Sequence, residues 1–96
     1  MTAHTETPVV AVISHQVKDY DTWRRVFDAS ADLRARHGHT GVEVLRDAGD
    51  PNRITVISRF TSMAAMQGFI ASPDLKDAMQ RGGILTQHGL IVAVPA

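Results

Sequence analysis

Few side chains in this sequence are of types that do chemistry, and their positions narrow what that chemistry can be. His15 follows the apolar run Val9-Val10-Ala11-Val12-Ile13 by one residue. At the end of a strand, where loops and helix starts converge, an imidazole serves as a general base or orients a ligand. Its plainer role is a hydrogen-bonded histidine at an interface. Glu43 and Arg59 lie in two further apolar runs, separated by the turn-forming stretch Asp47-Ala48-Gly49-Asp50-Pro51-Asn52. Paired as a hairpin around Ala48 to Asn52, the runs set Val44 near Val56 and Glu43 near Ile57. One face then carries Val42, Val44, Ile54, Val56, Ser58 and Phe60, and the other Glu43, Leu45, Thr55, Ile57 and Arg59. Glu43 and Arg59 become diagonal neighbours within side-chain reach. A structural ion pair at an interface is the plainer reading, and an anion-stabilising Arg59 is the chemical one. His37 and His39 flank Gly38. Two nitrogens are too few for a metal site, and both read as solvated residues favoured at a helix C-terminus. His4 lies in a polar tail and has no role.

The apolar candidates are Met63, Met66, Met79 and Phe69, with Trp23 and Tyr20. Methionines and aromatics of this kind first mean core packing. As a second reading, Trp23, Met66 and Phe69 form the adaptable wall of a pocket for a flat hydrophobic ligand.

These residues need elements to hold them. Val9 to Ile13, apolar at both parities, predicts a strand buried on both faces, ending through Ser14-His15-Gln16-Val17. Asp21 is the expected N-cap of a helix whose stripe is Trp23, Val26, Phe27, Ser30 and Leu33, stopped by Gly38. Val42 to Leu45 and Ile54 to Phe60 give the hairpin strands. Thr61 or Ser62 caps a helix carrying Met63, Met66, Phe69 and Ile70. Ser72-Pro73-Asp74 starts another, stopped at Gly82-Gly83. Leu90 to Val94 is the last strand. The order βαββαβ predicts an α+β, ferredoxin-like domain over residues 8–96: a four-stranded antiparallel sheet with its helices on one face. Residues 1–7 read as a flexible tail.

Composition limits the function. Ninety-six residues form one domain. Ten basic and ten acidic residues cancel, so no electrostatic footprint for nucleic acid or an anionic membrane exists. The absence of cysteine removes disulfides, thiol catalysis and thiolate metal sites. No apolar run reaches the roughly 20 residues of a membrane span, and the polar start with Glu6 is unlike a secretory signal. The expected setting is the cytoplasm. The uncovered sheet face is too apolar for water, and pairing it with its copy would approach the roughly 800 Å² per partner of a stable interface. A homodimer through that face is expected.

Three stretches carry a family likeness: His15-Gln16-Val17-Lys18-Asp19-Tyr20-Asp21-Thr22-Trp23 leading to Phe27; Arg59-Phe60-Thr61-Ser62-Met63-Ala64-Ala65-Met66; and Phe69-Ile70-Ala71-Ser72-Pro73-Asp74-Leu75-Lys76 with Gly82-Gly83-Ile84. With them the chain, over residues 9–95, resembles the dimeric α+β barrel superfamily of antibiotic-biosynthesis monooxygenases and small aromatic polyketide cyclases. The resemblance implies a barrel of two sheets across a dimer, with ligands between sheet and helices. It also implies a cofactor-independent cyclase or monooxygenase acting on a small polyketide-like or aromatic molecule. His15 and Arg59 would be its catalytic pair, and Glu43, Trp23, Met66 and Phe69 its ligand contacts. The alternative is a non-catalytic ligand-binding or assembly module. The haem-degrading branch of that superfamily uses a histidine on the helix after the third strand, with an asparagine and a tryptophan. Here no histidine falls between His39 and His88, and Asn52 sits in a turn. Neither haem nor another cofactor, and no metal, is expected.

Overall fold

The β-branched residues Val9, Val10, Val12 and Ile13 favour an extended chain, and hydrogen-bonded partners on both sides hold it as β1, Val9–Val17. In the computed structural model, which describes residues 7–96, seven further elements follow. They are α1 (Tyr20–Ala29), α2 (Ala31–Arg36), β2 (His39–Arg46), β3 (Arg53–Phe60), α3 (Met63–Ile70), α4 (Pro73–Arg81) and β4 (Ile84–Ala93). The strand order is β2-β3-β1-β4, every pair antiparallel. This is the expected ferredoxin-like sheet, with the helices on one face. Of the tail expected over residues 1–7, all but Thr7 lies outside the described residues.

The hairpin register is the one the apolar pattern requires, with Glu43 opposite Ile57 and Val44 opposite Val56. Its turn is held by Asp47, whose Oδ2 accepts from the amides of Gly49 at 2.9 Å and Asp50 at 3.0 Å. The turn is also fastened to the start of α1, because Asn52 Oδ1 accepts the Tyr20 amide at 2.9 Å.

Four local expectations are corrected. Asp19, not Asp21, caps α1: its Oδ2 accepts both the Thr22 amide and the Thr22 hydroxyl at 2.9 Å. Asp19 has the extended backbone an N-cap needs, whereas Asp21 is already in the first turn. The single helix expected up to Gly38 is two, broken at Ser30. The Ser30 hydroxyl donates to the Val26 carbonyl at 2.8 Å, the back-bonding that bends helices. β2 begins at His39 rather than Val42, because its polar first residues still pair with β3. β4 begins at Ile84 rather than Leu90. The polar stretch Thr86-Gln87-His88-Gly89 hides it, yet it pairs with β1 through two irregularities, next to Gly89 at φ +126°.

The core lies between sheet and helices in two clusters. Val9, Ala11, Phe60 and Met66 form one, and Val17, Trp23, Ile54 and Val56 the other. The opposite sheet face, with Val10, Val12 and Ile57, is only half-buried, so β1 is not covered on both faces within one chain. Gly38, at φ +74°, turns the chain from α2 into β2 where a Cβ would meet Thr61 Oγ1 at 2.7 Å.

Two histidines go inside with the apolar residues. His15 is 7 % exposed, and His39 packs edge-on to Phe60, ring centroids 5.1 Å apart. His15 Nδ1 and His39 Nε2 are buried without a hydrogen-bond partner. Burial lowers the pKa of each, with smaller contributions from His88 at His15 and from Arg34 at His39.

Two outcomes follow. Phe60→Ala, at a site 2 % exposed, is expected to lower the unfolding free energy by about 3–5 kcal/mol, read from urea denaturation. Stability is also expected to be pH-dependent. As pH falls through about 6.5 the unfolded chain takes up protons on His15 and His39 while the fold does not. The urea midpoint should hold above about pH 7 and fall from there toward pH 5. Replacing both residues with glutamine should flatten that slope, and a flat wild-type profile would contradict the burial of neutral imidazoles.

Candidate functional site

Residues directly opposite in a sheet share a face, and this decides which polar groups meet. His15 lies opposite Ile54 on β3 and Gln87 on β4. It therefore shares the helix-covered face with Val9, Ala11 and Val17, all about 1 % exposed. Arg59 lies opposite Val10 and Gly41, and Glu43 opposite Ile57, itself opposite Val12. Both point to the open face. The structure thus separates His15 from Arg59 by the thickness of the sheet, because His15 is opposite Ile54 and Arg59 lies five residues, an odd number, beyond Ile54 on β3. Both charged residues are exposed, and neither belongs to an ion pair among the described residues.

On the helix side, sheet and helices enclose a cavity of about 500 Å³, within the usual range for small-molecule sites. Its floor is built from three strands: Ile13 and His15, Val56 and Ser58, and Ile84, Gln87 and Leu90. The irregularity between Ile13 and His15 pairs Ile13 with Leu90 and His15 with Gln87, which keeps all four on the cavity side. Its roof is Trp23, Val26 and Phe27 of α1, Phe69 and Ile70 of α3, and Leu75, Ala78 and Met79 of α4. α1 brings Trp23 and Phe27 together one turn apart, their rings stacked with centroids 4.8 Å apart. The lining is mostly apolar, with a few polar groups.

His15 is the titratable group on the floor. Burial favours its neutral form, and the unpartnered Nδ1 has spare hydrogen-bonding capacity. A neutral imidazole in an apolar pocket can take a proton from a bound ligand. Trp23 and Phe69 also line the cavity. Met66 packs instead in the cluster with Val9, Ala11 and Phe60, which Phe69 joins. Tyr20 lies outside, its ring between Trp23 and the Arg46 guanidinium 3.8 Å away. His37 and His39 pack against the Phe69 and Phe60 rings rather than in solvent. His88 meets the Thr86 hydroxyl at 3.0 Å. Among the described residues no three potential metal ligands converge.

Sequence reasoning missed the polar lining residues other than His15, which are Ser30, Arg34, Ser58, Lys76, Gln80 and Gln87. Ser58 stood on the correct hairpin face but among core positions. Gln87 was hidden by the late start assigned to β4. Arg34 had a readable signal: it is four residues beyond Ser30 and seven beyond Phe27, the spacing of the stripe itself.

With the cavity placed, the likenesses to known proteins take on meaning. Among curated protein sequences none matches the chain. Among solved structures, a candidate antibiotic biosynthesis monooxygenase from Bordetella bronchiseptica is 15 % identical with a TM-score of 0.79, over 95 % of this chain and 99 % of that one. SnoaB, a cofactor-independent oxygenase from Streptomyces nogalater, is 22 % identical with a TM-score of 0.76, over 94 % of this chain and 96 % of that one. A candidate antibiotic biosynthesis monooxygenase from Chloroflexus aurantiacus J-10-fl is 17 % identical with a TM-score of 0.75, over 94 % of both chains. At such identities these likenesses establish the fold. The sequence profile of one family matches residues 3–81, most of the domain, and the chain accordingly belongs to the antibiotic biosynthesis monooxygenase family.

Proposed function

We propose that this chain is a small-molecule oxygenase of the monooxygenase type, which binds a flat, apolar, aromatic or polyketide-like ligand in the cavity and uses His15 as its base. The observation that carries the reading is the buried imidazole on the floor of a mostly apolar cavity of about 500 Å³. Leaving a buried nitrogen unpaired costs about 1–3 kcal/mol, and a ligand O–H or acidic C–H is a partner that would recover it. Family membership and the fold shared with a cofactor-independent oxygenase support the same reading.

The chemistry needs no cofactor if the substrate supplies the electrons. A ligand with an acidic methylene flanked by aromatic rings loses a proton to His15. The electron pair left on carbon reduces dioxygen and forms a C–O bond. Loss of the second hydrogen with cleavage of the O–O bond gives a carbonyl and one water. For anthrone this reads anthrone plus O₂ to anthraquinone plus water. The apolar roof holds the ring plane against Trp23 and Phe27. A cyclase would use the same base, and oxygen uptake separates the two.

We also propose that the chain acts as a homodimer through its open face. That face carries Val10, Val12 and Ile57 with Leu45 and Ile91, which are 45 % and 64 % exposed in the single chain. Arg59 and Glu43 lie among them, so their place in this reading is the interface, not the cavity.

For the chemistry, wild-type protein is expected to consume oxygen with anthrone, and His15→Gln to lower kcat by about 100-fold or more. Binding, followed by quenching of Trp23, should change little. Undiminished turnover in His15→Gln would remove His15 from the mechanism. For the assembly, light scattering should give about twice the 10.5 kDa chain mass. Ile57→Lys, at the centre of the open face, should give the single-chain mass with its circular dichroism unchanged. A wild-type monomer at tens of micromolar would contradict this assembly.

A further inference from the structure

Two cations line the mostly apolar cavity, and of these Arg34 is half-buried whereas Lys76 is exposed. Arg34 stands on α2, just past the break at Ser30, and its side chain lines the cavity. Two contacts fix it. Its Nη1 donates to the Phe27 carbonyl at 2.6 Å, and its guanidinium carbon sits 3.9 Å from the centre of the Phe27 ring. The first gives a second donor to a carbonyl that also accepts the Ser30 amide at 3.1 Å, and the second is a close cation–π contact. Together they account for one donor and one face of the group, out of five N–H donors. No acid pairs with it among the described residues. Asp28 favours its charge from a distance but is ion-paired with Arg24 at 3.1 Å. Arg34 is half-buried, so its charge stays partly withdrawn from water with most of its donors unused. A structural cap explains the bond to Phe27. It leaves unexplained why the capping group is a cation whose free edge borders the cavity.

We propose that Arg34, held flat on Phe27, is the cavity's subsite for an anionic oxygen on a conjugated ligand, a carboxylate or an ionised phenol. This rests on the ligand-binding reading of the cavity and narrows it: the ligand is a flat aromatic acid or phenol rather than a plain hydrocarbon. The planar fork of donors suits an oxygen on sp² carbon, and the Phe27 ring removes the rotational freedom an arginine otherwise loses on binding. Arg34 on the roof and His15 on the floor then read two different parts of one molecule, the first its charge and the second its acidic hydrogen.

Trp23 is the sole tryptophan of the chain and lines the cavity, so its fluorescence reports binding. Two matched pairs of probes are titrated: anthracene-2-carboxylate with anthracene-2-carboxamide, and 2-hydroxyanthraquinone, above its phenol ionisation, with 2-methoxyanthraquinone. Wild-type protein should prefer the anion of at least one pair by about tenfold or more. Preference in the first pair identifies a carboxylate subsite, and in the second a phenolate subsite. Arg34→Gln should erase the preference while leaving affinity for the neutral partner within about threefold. Arg34→Lys, which keeps the charge but not the fork, should retain only part of it. Should Arg34→Gln fail to fold, the wild-type preference and its partial loss in Arg34→Lys decide the matter. Neutral probes that bind with no anion preference overturn the subsite and leave the cavity reading intact. If no probe quenches Trp23, the cavity reading itself falls, and this inference with it.

Discussion

The alternation of side chains across the sheet is the constraint on which the rest of this structure depends. β1 is hydrogen-bonded on both sides, so its register with β3 and β4 sorts every neighbouring side chain onto one face or the other. His15, Ser58 and Gln87 go to the helix side, and Arg59 and Glu43 to the open side. A slip of one residue would exchange the sets. It would put Val9 and Ala11 in place of Val10 and Val12 and empty the core. The packing of Val9, Ala11, Ile54 and Phe60 thus holds the register, and the register delivers the His15 imidazole to the cavity.

What the helices add is a roof that does not close. Phe60 and Met66 fill one end of the layer between sheet and helices, and Val17 and Ile54 the other. Between them the floor side chains stay short enough to leave space under Trp23 and Phe27. The polar groups that border this space are costly to place there, because burial works against the charge on His15 and on Arg34 alike. For a histidine the outcome is a neutral ring. For an arginine, whose charge persists, it is a cation seeking a partner.

The architecture was legible because its signals are redundant. Three β-branched runs, two helical stripes and the Ser72-Pro73 start each agree with the same topology. The hairpin register was also legible, since the pairing must set Val42 and Val44 on the same face as Ile54, Val56 and Phe60. What could not be read is how separate elements meet. His15 and Arg59 looked like partners because each neighbours a site-like segment. Their separation depends on the β1–β3 register, which no local pattern carries. The polar stretch before Leu90 concealed half of β4, and with it Gln87. Arg34 was overlooked for a different reason: a charged residue on a helix is read as solvated, and the Ser30 break that turns α2 inward is a tertiary detail.

The pairing of β4 with β1 also sets the order in which the sheet can form. Val10 pairs with Ala93 and Val17 with Ile84, so the first strand of the sheet is closed by the last element of the fold. Contacts between such distant segments form late, since a long loop must be closed before any of them contributes. Three floor residues, Ile84, Gln87 and Leu90, arrive only with that strand. A folding intermediate holding β1, the β2–β3 hairpin and the helices would have both core clusters but only part of the cavity floor. The cavity is therefore completed at the end of folding, and its presence reports a finished sheet.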